Sequence, residues 1–134
     1  MRNMHILAAI MILSITSCKT QQPFQLSFGS GGGFTGGYAT YTVTQDGKVI
    51  KEKAVANGTQ QIAMLTKKQI KEIETLIAKV DFPKVFVNNP GNMTNFIYLT
   101  RDGKEYKTQW SGKTSGNTAL DDLSVKLNAL IINK

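Results

Sequence analysis

FGSGGGFTGGY, residues 28–38, holds six glycines in eleven positions. Three readings compete: a phosphate-cradling loop, a flexible linker, or the bend of a β-hairpin. The flanks decide between them. Upstream, Phe24, Leu26 and Phe28 alternate with Gln25 and Ser27, the period of a half-buried strand. Downstream, residues 38–45 (YATYTVTQ) are rich in β-branched and aromatic side chains, which reads as a second strand. Gly31, Gly33 and Gly36 do match G-x-G-x-x-G. A dinucleotide loop, however, opens a helix and is followed by an acid about twenty residues on. Here a strand follows, and residues 53–60 carry no acid. A phosphate would meet no helix N-terminus. The stretch is read as the bend between two antiparallel strands.

Working outward, Asp46-Gly47 is a hairpin turn signal, with a third strand over residues 48–56 and a closing turn at Asn57-Gly58. Thr66 starts a helix. Gln69, three residues on, makes a capping-box pairing, and Leu65 and Ile70 stand at staple positions. Ile70, Ile73, Ile77 and Val80 fall on one face at helical spacing, and Lys67, Lys68, Lys71, Glu72 and Glu74 lie elsewhere on the wheel. Asp81-Phe82-Pro83 ends the helix, because the residue before proline avoids the helical region. Asn88-Asn89-Pro90-Gly91-Asn92 reads as loop. A fourth strand follows over residues 95–101, a turn at Asp102-Gly103 and a fifth strand over 105–110. Thr118, with Asp121 three residues on, caps a last helix whose stripe is Leu120, Leu123, Leu127, Leu130 and Ile131. The pattern predicts an α+β fold in one domain. Its sheet is five-stranded and mainly antiparallel, in order β-β-β-α-β-β-α, with two helices packed on one face. T-Q-D-G-K at 44–48 and T-R-D-G-K at 100–104 echo one another, either as two ββα units or as a common hairpin solution used twice.

The N-terminus carries a different signal. Residues 6–15 are almost purely apolar, too short to span a bilayer as a helix and suited to the core of a signal peptide. Ile15-Thr16-Ser17-Cys18 then resembles a bacterial lipobox. The organisation expected is a lipoprotein signal over 1–17, a lipidated tether over 18–23 and the domain over 24–134. Cys18 would be the lipidation site and the membrane anchor. Lys19, with no acidic run after it, resembles the sorting pattern of an outer-membrane lipoprotein facing the periplasm.

Composition narrows the chemistry. The chain has one cysteine and one histidine. Loss of the signal removes His5, and lipidation consumes Cys18. Ser-His-Asp and Cys-His catalysis, and zinc sites with His or Cys ligands, are then excluded for the mature chain. No catalytic residues, metal or cofactor are expected, and no intrachain disulfide. The formal charge is +7. The basic residues are scattered lysines with one arginine after the signal, Arg101, which argues against nucleic acid and for a solvated surface. A monomer is expected. Ser111-Gly112-Lys113-Thr114 imitates the end of a P-loop, but Lys107 stands where its first glycine belongs. Asn57-Gly58-Thr59 and Asn92-Met93-Thr94 match the glycosylation pattern and read as turns.

Several phrases together resemble a known family. Ser30-Gly31-Gly32-Gly33-Phe34-Thr35-Gly36 lies between two strands. Val80-Asp81-Phe82-Pro83 ends a helix, and Tyr98-Leu99-Thr100-Arg101-Asp102-Gly103 forms a hairpin before a C-terminal leucine helix. This order resembles emfourin, a small bacterial inhibitor of thermolysin-like metallopeptidases. The chain departs from that pattern by an extra glycine before Phe34, by the lipobox, and by residues 88–94 in place of an acidic loop. The resemblance implies a non-enzymatic domain that docks in a peptidase cleft through Ser30, Gly31, Gly32, Gly33, Phe34, Thr35, Gly36 and Gly37. Phe34 would be its apolar anchor. In the plainer reading the glycines only let a wide hairpin turn, and Phe34 folds back onto the sheet. A second function class is an envelope lipoprotein that binds a protein or glycan through an aromatic sheet face bearing Tyr41, Tyr106 and Trp110.

Overall fold

The structure is a computed structural model that describes residues 23–34, 36–53 and 58–132. Its order is β1 (Phe24–Gly32), β2 (Gly37–Thr44), β3 (Lys48–Glu52), β4 (Thr59–Met64), α1 (Lys67–Val80), a 3₁₀ turn (Phe82–Lys84), β5 (Asn88–Asn89), β6 (Met93–Arg101), β7 (Lys104–Ser111) and α2 (Thr118–Ile132). The expected five-stranded β-β-β-α-β-β-α arrangement is overturned. The sheet has seven strands in order β4-β3-β2-β1-β6-β7-β5, and it is mixed, because β5 pairs parallel with β7.

Both added strands lie at edges, and each has a physical cause. β4 (TQQIAM) shows little apolar alternation because most of it is exposed. Pairing with β3 holds it, with a bulge between Val49 and Ile50. β5 reads as loop by composition. It becomes strand because Gln109 N–H donates to Val87 O (3.0 Å) and the Gln109 side-chain amide donates to Asn88 Oδ1 (2.6 Å).

β1 is the centre of the sheet, flanked by β2 and β6, both antiparallel to it. Phe24, Leu26 and Phe28 lie on the covered face, where Leu26 is in register with Val43 and Leu99, and Phe28 with Ile97. Ile73, Ile77 and Val80 of α1 and Leu120, Leu123, Leu127 and Leu130 of α2 close the core over that face. Thr108 is buried among them, and its hydroxyl donates to Ile97 O at 2.7 Å. The capping box of α1 is present: Gln69 N–H donates to Thr66 Oγ1, and Thr66 N–H donates to Gln69 Oε1. At α2 the cap is Asn117, not Thr118, since Asn117 Oδ1 accepts from Leu120 N–H at 3.0 Å.

The two D-G phrases are different turns. Asp102 (φ 55) and Gly103 (φ 71) are both left-handed, the two-residue hairpin of type I′. At the other, only Gly47 is left-handed (φ 93), and its N–H donates to Thr44 O at 2.9 Å, a turn with one more residue. The sequence echo therefore does not carry through to backbone geometry.

Candidate functional site: the glycine-rich hairpin tip

The glycines do two jobs. β1 continues through Gly29, Ser30, Gly31 and Gly32, so half of the stretch is strand. On the open face of the sheet, a Cβ at Gly29 would lie 1.9 Å from Ala39 O and 3.2 Å from Phe96 Cζ. At Gly31 it would lie 2.4 Å from the Tyr38 ring. Aromatic rings from the two neighbouring strands thus lie over a floor of missing side chains. Tyr38 and Phe96 stand 6.3 Å apart between centroids, and Phe96 and Tyr98 stand 4.9 Å apart. Lys107 Nζ sits 5.6 Å from the Tyr98 ring and pairs with Glu105.

The bend itself is short. Gly33 (φ 70) and Gly36 (φ 64) bracket Phe34 and Thr35, of which Thr35 lies outside the described residues. Gly36 N–H donates to Gly33 O at 3.3 Å. Gly33 N–H donates to Asn92 O at 2.6 Å, which ties the bend to the segment entering β6. Phe34 does not fold back. It is fully exposed, at 108 % of its reference area. Tyr38 (54 %) and Met93 (53 %) are the exposed apolar side chains at the same end, and Met93 Sδ lies against the backbone of Gly33. Of the expected site residues, Ser30 and Gly37 are exposed beside the bend. Gly31 is buried under Tyr38, and Gly32 is in register with Gly37 and Met93.

Sequence reasoning missed Tyr38, Asn92 and Met93. Tyr38 joins the tip through the β1–β2 register, and Asn92 and Met93 join it through the β1–β6 register, which pairs Gly32 with Met93 across about sixty intervening residues, a pairing that no local pattern reveals. The electrostatics of the tip are simple. No charged residue occurs over 20–45 or over 85–100, the segments that build β1, β2, β5 and most of β6. Recognition at this end would rest on apolar contact and backbone hydrogen bonds.

The aromatic face expected at Tyr41, Tyr106 and Trp110 lies elsewhere. Tyr41 pairs with Phe28 and Tyr106 with Leu99, so both share the covered face, and Trp110 is 3 % exposed in the core. The parity of the strand register places them there. The open face carries Tyr38, Phe96 and Tyr98 instead.

A cleft of about 680 Å³ lies at the far end of the sheet, lined by Phe24, Gln25, Thr44, Asp46, Lys48, Arg101 and Asp102. The Thr44 hydroxyl, which donates to Asp46 Oδ1, holds that carboxyl below its usual range, with Lys48 assisting. An acid held in its charged form is not a proton donor poised near neutrality. Among the described residues, no three His, Cys, Asp or Glu side chains gather as metal ligands, and no helix is long and apolar enough to cross a membrane. Cys18 lies outside the described residues.

No family model matches the chain. No curated protein matches it either.

Proposed function

We propose that the chain is a lipid-anchored envelope protein without catalytic activity that docks on a peptidase through its hairpin tip, in the manner of inhibitors of thermolysin-like metallopeptidases. The observation that carries this reading is Phe34, fully exposed at the apex of a bend tied to β6 by Gly33 and Asn92. A peptidase cleft binds extended backbone, and glycines on either side of an apolar side chain let backbone approach without steric obstruction. Thermolysin-like sites favour a bulky apolar residue beside the scissile bond, which Phe34 would supply. The lipobox residues Ile15-Thr16-Ser17-Cys18 support the anchor. More than one acyl chain on Cys18 would make it stable.

The test is a titration of residues 19–134 against a panel of thermolysin-like peptidases, with Phe34→Ala beside it. Burying a whole Phe side chain removes on the order of 150 Å² from water, about 4 kcal/mol gross. Ordering costs reduce this to about 2–3 kcal/mol, so the variant should inhibit about 30-fold to 150-fold more weakly. Its melting temperature should not move, because Phe34 contributes no burial to the fold. Absence of inhibition across the panel would remove the peptidase reading.

A second reading, a protein or glycan partner on the open sheet face, is favoured by Tyr38 and Tyr98, which stand on either side of the buried Phe96. It predicts that Tyr98→Ala weakens binding of the partner and that Phe34→Ala does not.

A further inference from the structure

Four exposed lysines of α1, namely Lys67, Lys68, Lys71 and Lys79, fall within one arc of the helix, interspersed with Thr75 and Ala78. Glu72 and Glu74 border that arc on either side, and both are engaged elsewhere. Glu72 turns aside to Lys126 of α2, and Glu74 accepts from the Gln45 side chain at 2.6 Å. Among the described residues none of the four lysines forms an ion pair. From residue 67 to residue 79 the row spans about 18 Å at 1.5 Å per residue.

Its place in the fold gives it a neighbour. Leu65 N–H donates to Gly47 O at 2.8 Å, which fixes the entry to α1 beside the β2–β3 turn. At the other end of α1, Ile77, Asp81 and Phe82 share a cleft with Arg101 and Asp102 of the β6–β7 turn. Both turns flank the start of β1, where Phe24 pairs with Arg101 and Phe24 O accepts from Gln45 N–H at 3.1 Å. Helix α1 therefore lies across the end of the sheet at which the chain enters. Five residue steps separate Cys18 from Pro23, at most about 18 Å of chain.

We propose that the lysine face of α1 docks on the anionic headgroups of the lipid surface to which Cys18 ties the chain. This inference rests on the lipid-anchor reading above. A cation near an anionic bilayer strengthens binding about fivefold, within a screening length of about 8 Å. The short tether holds these cations near that range. Lys67 and Lys68 also occupy the first turn of α1, where a helix prefers anions and where no acid stands. An anionic layer beside that turn relieves the mismatch. The nine residues of β1 carry the tip about 30 Å from the tether.

The test uses the full-length protein, processed and purified from membranes, on vesicles of phosphatidylcholine alone or with about 30 % phosphatidylglycerol. The readout is the acetylation rate of each lysine by mass spectrometry. Lys67, Lys68, Lys71 and Lys79 should label at least about threefold more slowly on the anionic vesicles, and about 0.5 M salt should erase the difference. Lys107 and Lys113 should label equally on both. Equal labelling of the four on both vesicles overturns the docking. So does protection in native membranes that is absent on anionic vesicles, since a protein partner would then cover the face. The anchor is read separately, from the mass of the Cys18 peptide and from flotation on phosphatidylcholine alone. Loss of the anchor leaves the labelling contrast on anionic vesicles to decide the docking.

Discussion

Gly29→Ala separates two accounts of the glycine stretch by the sign of its effect. If the glycines served only to let the chain bend, Gly29 would be an ordinary residue of a central strand. Alanine there would reduce the freedom of the unfolded chain and stabilise the fold by about 0.4–1 kcal/mol. The structure requires the opposite. The new Cβ would lie 1.9 Å from Ala39 O and 3.2 Å from Phe96 Cζ. An ordinary carbon–oxygen contact is about 3.3 Å or more, so the Ala39 carbonyl must retreat by over an ångström. It belongs to β2, and β1 is held on both sides by β2 and β6. Overpacking of this kind costs about 1–3 kcal/mol, and more where backbone must move. Offset by the gain in the unfolded state, the net loss is about 1–2 kcal/mol. At roughly 4 °C per kcal/mol, the midpoint should fall by about 4–8 °C. Thermal unfolding followed by circular dichroism reads this directly. A midpoint that rises, or does not move, would refute the view that the glycines of β1 exist to let neighbouring strands and rings close over them.

Two further predictions concern charge. Lys67→Glu places an acid in the first turn of α1 and four residues ahead of Lys71, and both changes favour the helix. Stability at low salt should rise by about 0.5–1 kcal/mol while docking on anionic vesicles weakens; an unchanged or lower melting temperature would count against the helix-terminus argument. Glu72 is held below its ordinary value of 4.5 first by the hydrogen bond and then by the charge of Lys126, with Lys68 adding to it. A depressed carboxylate stabilises the fold above its unfolded pKa and loses that contribution as pH falls through its folded value. The melting temperature should therefore decline below about pH 4.5, and less steeply in Glu72→Gln. Parallel curves for the two proteins would show that the pair contributes nothing.

What the sequence made legible was whatever local chemistry dictates. The capping box at Thr66 and Gln69, the alternation of Phe24, Leu26 and Phe28, and both apolar helix stripes follow from spacing alone, and they stand in the structure as spaced. Other features depend on partners distant in the chain. β5 is strand only because Gln109 reaches it, and β4 only because β3 has a free edge. Gly29 and Gly31 look like bend and are strand, because rings from β6 and β2 supply the packing their own side chains lack, while Gly32 lies against the backbone of Asn92. Tyr41 and Tyr106 lie on the covered face for a related reason: the side a residue takes is fixed by register against β1, which the pattern of a single strand does not reveal.

That register also accounts for where function can sit. The same alternation that sends Leu26 and Phe28 to the core leaves Gly29 and Gly31 on the open face, where a bulky residue would displace Tyr38 and Phe96. Past Gly32 the covered face ends, so a side chain at the apex lies beyond the core. Phe34 is outside because the core ends before it, not because the bend is strained outward. An exposed phenylalanine gives the isolated fold nothing, which leaves Phe34 free for the contact proposed above. Lys67 and Lys68 stand at the other end of the sheet, as cations in a helix turn that favours acids. Two local rules are broken, at opposite ends of one central strand. Sequences that specify a fold well break such rules mainly at functional sites. The tip and the lysine face are therefore the two places where substitution should alter binding while the core of Leu26, Ile97 and Leu127 remains intact.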